Sequence, residues 1–274
     1  MTIVVGVTAI IVTILIIWWR QERITFQPPA PPYDDAGSTT RVPITCADGV
    51  EFFGYLLGDR TDTGLLIAFH GNADLAVWQI DWARDLSDRS GWRVLLVEYR
   101  GYAGNPGVPS YLAVQSDARA ALVHARESLG VPLERIAYFG HSLGSGIATE
   151  LAAEATPAAL ILQSPFTSAR DMARIIVARP IALVWNMVSR VHYDSESHVA
   201  RLDCPVHVAH GDRDIIVPTR MGRRVHAAAK TKGQLLIVAG AGHNDVAERG
   251  GVAYWRWIVS ALTGSSVELS SGSH

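Results

Sequence analysis

The pentapeptide Gly140-His141-Ser142-Leu143-Gly144 narrows the folds open to this chain more than any other stretch. It follows a short apolar run, RIAYF (Arg135–Phe139), and opens an alanine-rich helical segment, so the chain must pass from strand to helix within a few residues. A turn that tight strains the backbone of its middle residue. It requires glycine two positions before and two after, because side chains there would collide across the bend. The Ser142 hydroxyl is then projected from the carboxyl edge of a sheet. The Leu143 N–H, backed by the dipole of the helix it begins, faces any negative charge that develops on a reacting oxygen.

A serine hydroxyl is a poor nucleophile at neutral pH and needs a base, which a carboxylate must orient. Two later loops supply these groups. His210-Gly-Asp-Arg-Asp214 follows the strand-like VHVA, and Gly240-Ala-Gly-His243 follows LLIVA. Ser142, Asp214 and His243 thus each fall at the end of a strand, where open α/β sheets gather their sites. Asp212 is the fallback for the acid. Nine other histidines are present, but His243 alone combines the last place in the order with a glycine-flanked loop. His141 and His70 read as residues that shape their turns, and Asp245 reads as a helix cap. A second oxyanion donor should come from the loop after an early strand; in His70-Gly71-Asn72-Ala73, after LLIAF, the Asn72 N–H is the candidate.

The surrounding pattern predicts an α/β fold with a doubly wound, mostly parallel sheet. Eight strands are expected, at 42–46, 51–57, 65–69, 93–99, 135–140, 159–163, 206–209 and 235–239. Runs such as LLIAF and VLLVEY are apolar on both faces, as buried parallel strands are. The first two strands read as an antiparallel pair turned by Asp48-Gly49. Helical segments lie between them, near 75–87, 111–129, 143–154, 218–229 and 245–262.

Outside the sheet, the run TIVVGVTAIIVTILIIWW (Thr2–Trp19) contains no ionisable side chain. Eighteen residues of helix reach about 27 Å, enough to cross the hydrocarbon layer of a bilayer. The charges follow the run rather than precede it, and no small-residue cleavage site follows. A retained single-pass transmembrane helix is therefore expected in place of a cleaved signal or a core helix. Arg20 and Arg23 favour a cytoplasmic catalytic domain. The expected organisation is an anchor over 1–23, a proline-rich spacer over 24–40, a domain over 41–263 and a disordered tail over 264–274.

The long connection between Gln163 and Val206 contains the apolar stretch Ile175–Val191, so a helical lid insertion is expected over about 167–200. A helix buried against the sheet, an acyl-chain wall and a membrane contact remain open for that stretch. A net charge of −2 and the lack of a basic stripe exclude nucleic acid as a partner. Two cysteines form neither a disulfide framework nor a zinc pattern; they read as core thiols, and no metal or cofactor is implied. A short-chain dehydrogenase reading of Gly140, Gly144 and Gly146 fails, because neither Lys230 nor Lys232 has tyrosine four residues before it.

Several stretches together resemble the membrane-anchored branch of the α/β-hydrolase-domain proteins, lysophospholipase-like or serine-aminopeptidase-like. These are FHGNA (Phe69–Ala73), EYRGYAGNPGVPS (Glu98–Ser110), LQSPFTSARDMA (Leu162–Ala173), HGDRDIIVP (His210–Pro218) and the pentapeptide itself. The resemblance covers 24–263 and places the acid on Asp214 rather than Asp212. Ala103 departs from it, standing where the family usually has glycine. The resemblance implies acyl transfer to water through Ser142, His243 and Asp214, with oxyanion donors at Leu143 and Asn72. Small-molecule or lipid acyl esters are the expected substrates, ahead of amides. A silent binding scaffold on the same fold is the contrasting reading.

Overall fold

Runs of five apolar residues that expose neither face can only be satisfied inside a sheet covered on both sides. The computed structural model builds that sheet, describing residues 2–177 and 179–264, with backbone alone for 2–11, 13, 17, 179 and 180. Its strands are β1 (Thr40–Thr45), β2 (Glu51–Leu57), β3 (Leu65–Phe69), β4 (Arg93–Val97), β5 (Ile136–His141), β6 (Ala159–Gln163), β7 (Val206–Gly211) and β8 (Lys232–Val238). They lie in the order β1-β2-β4-β3-β5-β6-β7-β8. The pairs β1–β2 and β2–β4 are antiparallel and every later pair is parallel. All five residues of β3, β4 and β6 are buried. The β1–β2 hairpin turns at Gly49, whose φ of +82° suits glycine.

The helices packed on the sheet are α2 (Ile80–Ser90), α3 (Tyr111–Val123), α4 (Leu143–Glu154), α8 (Thr219–Ala228) and α9 (Val246–Thr263). Ahead of α2, Ala76–Gln79 forms a 3-10 turn, so that helix begins later than its pattern suggests. Asp245 occupies the N-cap position of α9 but makes no side-chain cap. Its carboxylate instead accepts from the Gly242 N–H at 2.6 Å and pairs with Arg249, bracing the loop before the helix. Cys46 and Cys204 are both buried and free.

Between β6 and β7 the chain forms α5 (Ala169–Ile176), α6 (Arg179–Val188) and α7 (Ser195–Val199). The apolar side chains of this insertion divide between the interior and solvent. Ala182 and Val191 are buried, whereas Ile176, Leu183 and Met187 are exposed. The stretch is therefore not a helix buried against the sheet.

The amino-terminal helix α1 spans Thr2–Thr25. Among the described residues no helix is long and apolar enough to cross a membrane. The run expected to form the single-pass anchor lies largely outside the residues whose side chains are described, as does the expected disordered tail over 265–274. The helix ends against the domain: Phe26 belongs to the buried core, and α1 packs on α6.

Candidate active site

The turn from β5 into α4 places Ser142 at φ 51° and ψ −114°, outside the ordinary regions for a residue with a side chain. Two glycines make this bend feasible. A Cβ on Gly140 would run into the Gly144 carbonyl, and one on Gly144 would run into the Phe69 carbonyl of the adjacent strand. The second clash shows that Gly144 serves the packing of helix on sheet as well as the turn. The Ser142 N–H donates to the Gln163 carbonyl at 3.0 Å, which ties the bend to β6.

Three side chains from three loops converge here. His243 Nε2 lies 2.8 Å from Ser142 Oγ, and His243 Nδ1 lies 2.7 Å from Asp214 Oδ2. With Nδ1 donating to the carboxylate, Nε2 is left as the acceptor that the serine hydroxyl requires. The His243 backbone is pinned as well: its carbonyl accepts from the Ser164 hydroxyl at 3.2 Å and lies 3.3 Å from His141 Nε2. Burial and the adjacent His243 push His141 down to about 4, so at neutral pH it is an uncharged partner of that carbonyl. Asp212 stands apart, its Oδ1 accepting the Gly240 N–H at 2.7 Å.

Asp214 is saturated with donors. Its Oδ1 accepts the N–H groups of Ile216 and Val217 at 2.9 and 2.8 Å. Its Oδ2 faces both His243 and, at 3.1 Å, Nε2 of the fully buried His210. Burial alone would raise its pKa, but the hydrogen bonds from His210, His243 and Val217 outweigh it and hold the carboxyl well below the usual range. The second imidazole on this carboxylate was not evident in the sequence, where His210 merely opened the loop.

The Asn72 loop, after β3, lies beside the serine: a Cβ on Gly71 would sit 3.6 Å from Ser142 Cβ. Among the described residues neither the Asn72 nor the Leu143 N–H is committed to a protein acceptor. The loop is anchored through His70, which the sequence marked as shaping it, by partners that sequence reasoning missed. Buried Glu98 accepts the Ala76 N–H at 2.9 Å and pairs with His70 Nε2 at 2.9 Å, while Tyr99 donates to the His70 carbonyl at 2.8 Å. Burial would lower the His70 pKa, but Glu98 outweighs it and raises it, so the loop rests on a buried imidazole–carboxylate pair. One signal was available: an acidic residue ends an otherwise apolar strand, and a buried carboxylate demands donors. Asn72 Oδ1 in turn accepts from the Gln27 N–H at 2.9 Å and the Tyr102 hydroxyl at 3.1 Å.

Ser142 borders two cavities. One, about 230 Å³, is apolar and walled by Leu143, Phe166, Met172, Ile176, Trp185 and Val217, with Ile24 and Thr25 of α1. The other, about 680 Å³, has a mixed wall, with Trp78, Trp82 and Phe139 beside His243, Gln163, Asp74 and Glu248.

A hydroxyl, an imidazole and a carboxylate in series at the carboxyl edge of a parallel sheet, beside two uncommitted amides, decide the relationship. The chain belongs to the α/β-hydrolases. The family model described as serine aminopeptidase, S33, matches residues 61–197. An uncharacterised protein of Mycobacterium tuberculosis is 35% identical over 254 residues, covering 88% of each chain. The lysophosphatidylserine lipase ABHD12 of Danio rerio is 29% identical over 161 residues, which are 52% of this chain and 41% of that protein. A solved esterase of Pyrococcus furiosus superposes with a TM-score of 0.69 at 16% identity, over 88% of this α/β-hydrolase and 99% of the esterase.

Proposed function

We propose that this protein is a serine hydrolase that cleaves carboxylic esters carrying apolar acyl groups. One observation carries the reading: the Ser142–His243–Asp214 relay opens directly onto the apolar cavity. In this mechanism Ser142 Oγ attacks the acyl carbonyl while His243 Nε2 takes its proton, and Asp214 stabilises the resulting imidazolium. The Leu143 and Asn72 N–H groups receive the oxyanion. His243 then protonates the departing alkoxide, and a water activated by the same imidazole releases the acid.

The acyl chain occupies the smaller, apolar cavity and the leaving group the larger, mixed one. The wall of the larger cavity carries Asp74 and Glu248 and, among the described residues, neither lysine nor arginine. That charge favours neutral or cationic leaving groups over phosphate-bearing ones. A water-accessible pocket holding two carboxylates also suits the ammonium of a peptide substrate, so cleavage of amides is the second reading. Attachment to a membrane rests on the apolar run 2–19 alone, and partition of the full chain between membrane and soluble fractions tests it.

A fluorophosphonate probe tests the central reading. Wild type should label, Ser142→Ala should not, and His243→Ala should label far more slowly. A well-folded wild type that stays unlabelled would sink the proposal. Comparing an ester and an amide of the same acyl group separates the two readings.

A further inference from the structure

The end of α1 is fastened to the domain with unusual thoroughness. Gln21 is 1% exposed, and both ends of its amide are engaged. Its Nε2 donates to the Trp18 carbonyl at 2.8 Å and to the Val188 carbonyl, at the end of α6, at 3.4 Å. Its Oε1 accepts the Arg190 N–H at 2.6 Å. Arg190 closes the contact from the other side: its guanidinium lies 3.3 Å from Glu22 and 4.5 Å from the centre of the Trp18 ring. Glu22 also accepts the Tyr111 N–H at 3.4 Å, at the start of α3. Two turns of helix are thus clasped to the insertion by one buried glutamine whose removal would strand a backbone N–H and a carbonyl.

Immediately after this clasp, Ile24 and Thr25 enter the wall of the apolar cavity, which residues of α5 and α6 also line. Two residues further on, the Gln27 N–H is bonded to the Asn72 side chain, in the loop beside Ser142. One short stretch therefore fixes the position of the insertion, lines the cavity and touches the oxyanion loop.

We propose that the last two turns of α1 are a specificity-determining wall of the acyl site, and that the Gln21–Arg190 clasp sets its width. The acyl-chain preference is then governed in part by a helix that lies outside the hydrolase sheet. This inference rests on the reading of Ser142 as an ester-cleaving nucleophile, but its test has one arm that needs no catalysis.

The full chain in detergent is assayed with p-nitrophenyl acetate and p-nitrophenyl decanoate, and the decanoate-to-acetate ratio of kcat/KM is compared. Ile24→Trp, which places an indole in the cavity, should lower this ratio at least tenfold. Ile24→Ala should raise it, and carries the test if the tryptophan variant does not fold. Gln21→Ala should lower the ratio at least threefold. Leu15→Ala, upstream of the clasp, should leave the ratio unchanged. Equilibrium binding of a fluorescent fatty acid to Ser142→Ala protein is the second arm, and adding Ile24→Trp there should weaken Kd about tenfold. Ratios and Kd within twofold of the parent in both Ile24 variants overturn the proposed wall. A Gln21→Ala protein that melts earlier but keeps its ratio overturns the clasp. A wild type that turns over neither ester, yet loses fatty-acid affinity on Ile24→Trp, overturns the esterase reading and leaves the wall supported.

Discussion

Asp214→Asn isolates the role of the carboxylate with almost no change of shape. The carboxylate accepts from two backbone N–H groups through Oδ1 and from two imidazoles through Oδ2. An asparagine has only one acceptor oxygen for these four donors. Turning its NH2 toward Ile216 and Val217 would oppose two donors fixed in the backbone; His210 Nε2 keeps its proton on the Val217 carbonyl, 2.8 Å away, whereas His243 can change tautomer. The oxygen therefore stays on the backbone and the NH2 faces His243 Nδ1. That nitrogen must now accept, which moves the imidazole proton to Nε2, 2.8 Å from Ser142 Oγ. A protonated Nε2 cannot take the serine proton. Loss of the correct tautomer lowers kcat by about 10⁴-fold in a serine protease, which is about 5 kcal/mol on the barrier. The same loss is expected here in the steady-state hydrolysis of a p-nitrophenyl ester, with KM changed little. A variant within tenfold of wild-type kcat would refute the assignment of Asp214 as the group that holds His243 in its working tautomer.

Four further outcomes are expected. Glu98→Ala leaves a buried His70 without its partner and frees the Ala76 N–H; breaking such a pair costs about 3–5 kcal/mol, to be read by urea unfolding, and kcat should fall with it. Stability should decline with acid in two stages. His141 and His207 are both held down to about 4 by burial, so unfolding takes up protons as pH falls from about 6.5 toward 4, with up to about 3 kcal/mol each at stake. The depressed carboxyl of Asp214 gives stability that is present above its unfolded pKa near 4 and is lost as pH falls further; a melting temperature flat from pH 7 to 4 would contradict the first stage, and one flat below pH 4 the second. Monoacylglycerol should be hydrolysed at least tenfold faster than a lysophospholipid of equal chain length, and the gap should narrow in Glu248→Gln. Ala103→Gly should stabilise the protein by about 0.5 kcal/mol in thermal melts, because Ala103 holds a φ of 47° that glycine adopts without strain.

The fold was legible where burial alone dictated the pattern. Both-face apolar runs such as Leu65–Phe69 mark strands that any packed sheet must cover, and their observed bounds match the expected ones. The edge strand β8 begins at Lys232 rather than Leu235, because partial exposure there admits a polar start. The residues brought together at the site were legible as an ordered set of loops, since Ser142, Asp214 and His243 each follow an apolar strand. Their supports were not. His210, Glu98 and Gln21 act on partners brought near by the fold, and no local periodicity records such proximity. The two cavities were equally hidden, because their walls combine residues from α1, the insertion and loops far apart in sequence.

The distance in sequence between Ser142 and the imidazole beside it has a consequence for the chain as it is made. The two residues are 101 positions apart, and the strand, helix and loops between them must all exist before they meet. At translation rates of about 5–20 residues per second, the serine precedes its base out of the ribosome by about 5–20 s. During that interval its hydroxyl has only the reactivity of any other alcohol. On the proposed mechanism the nascent chain is therefore silent toward esters until His243 has joined the fold. On that mechanism reactivity is acquired late, with β8 and the loop after it, because no chain that stops before Gly240 contains His243.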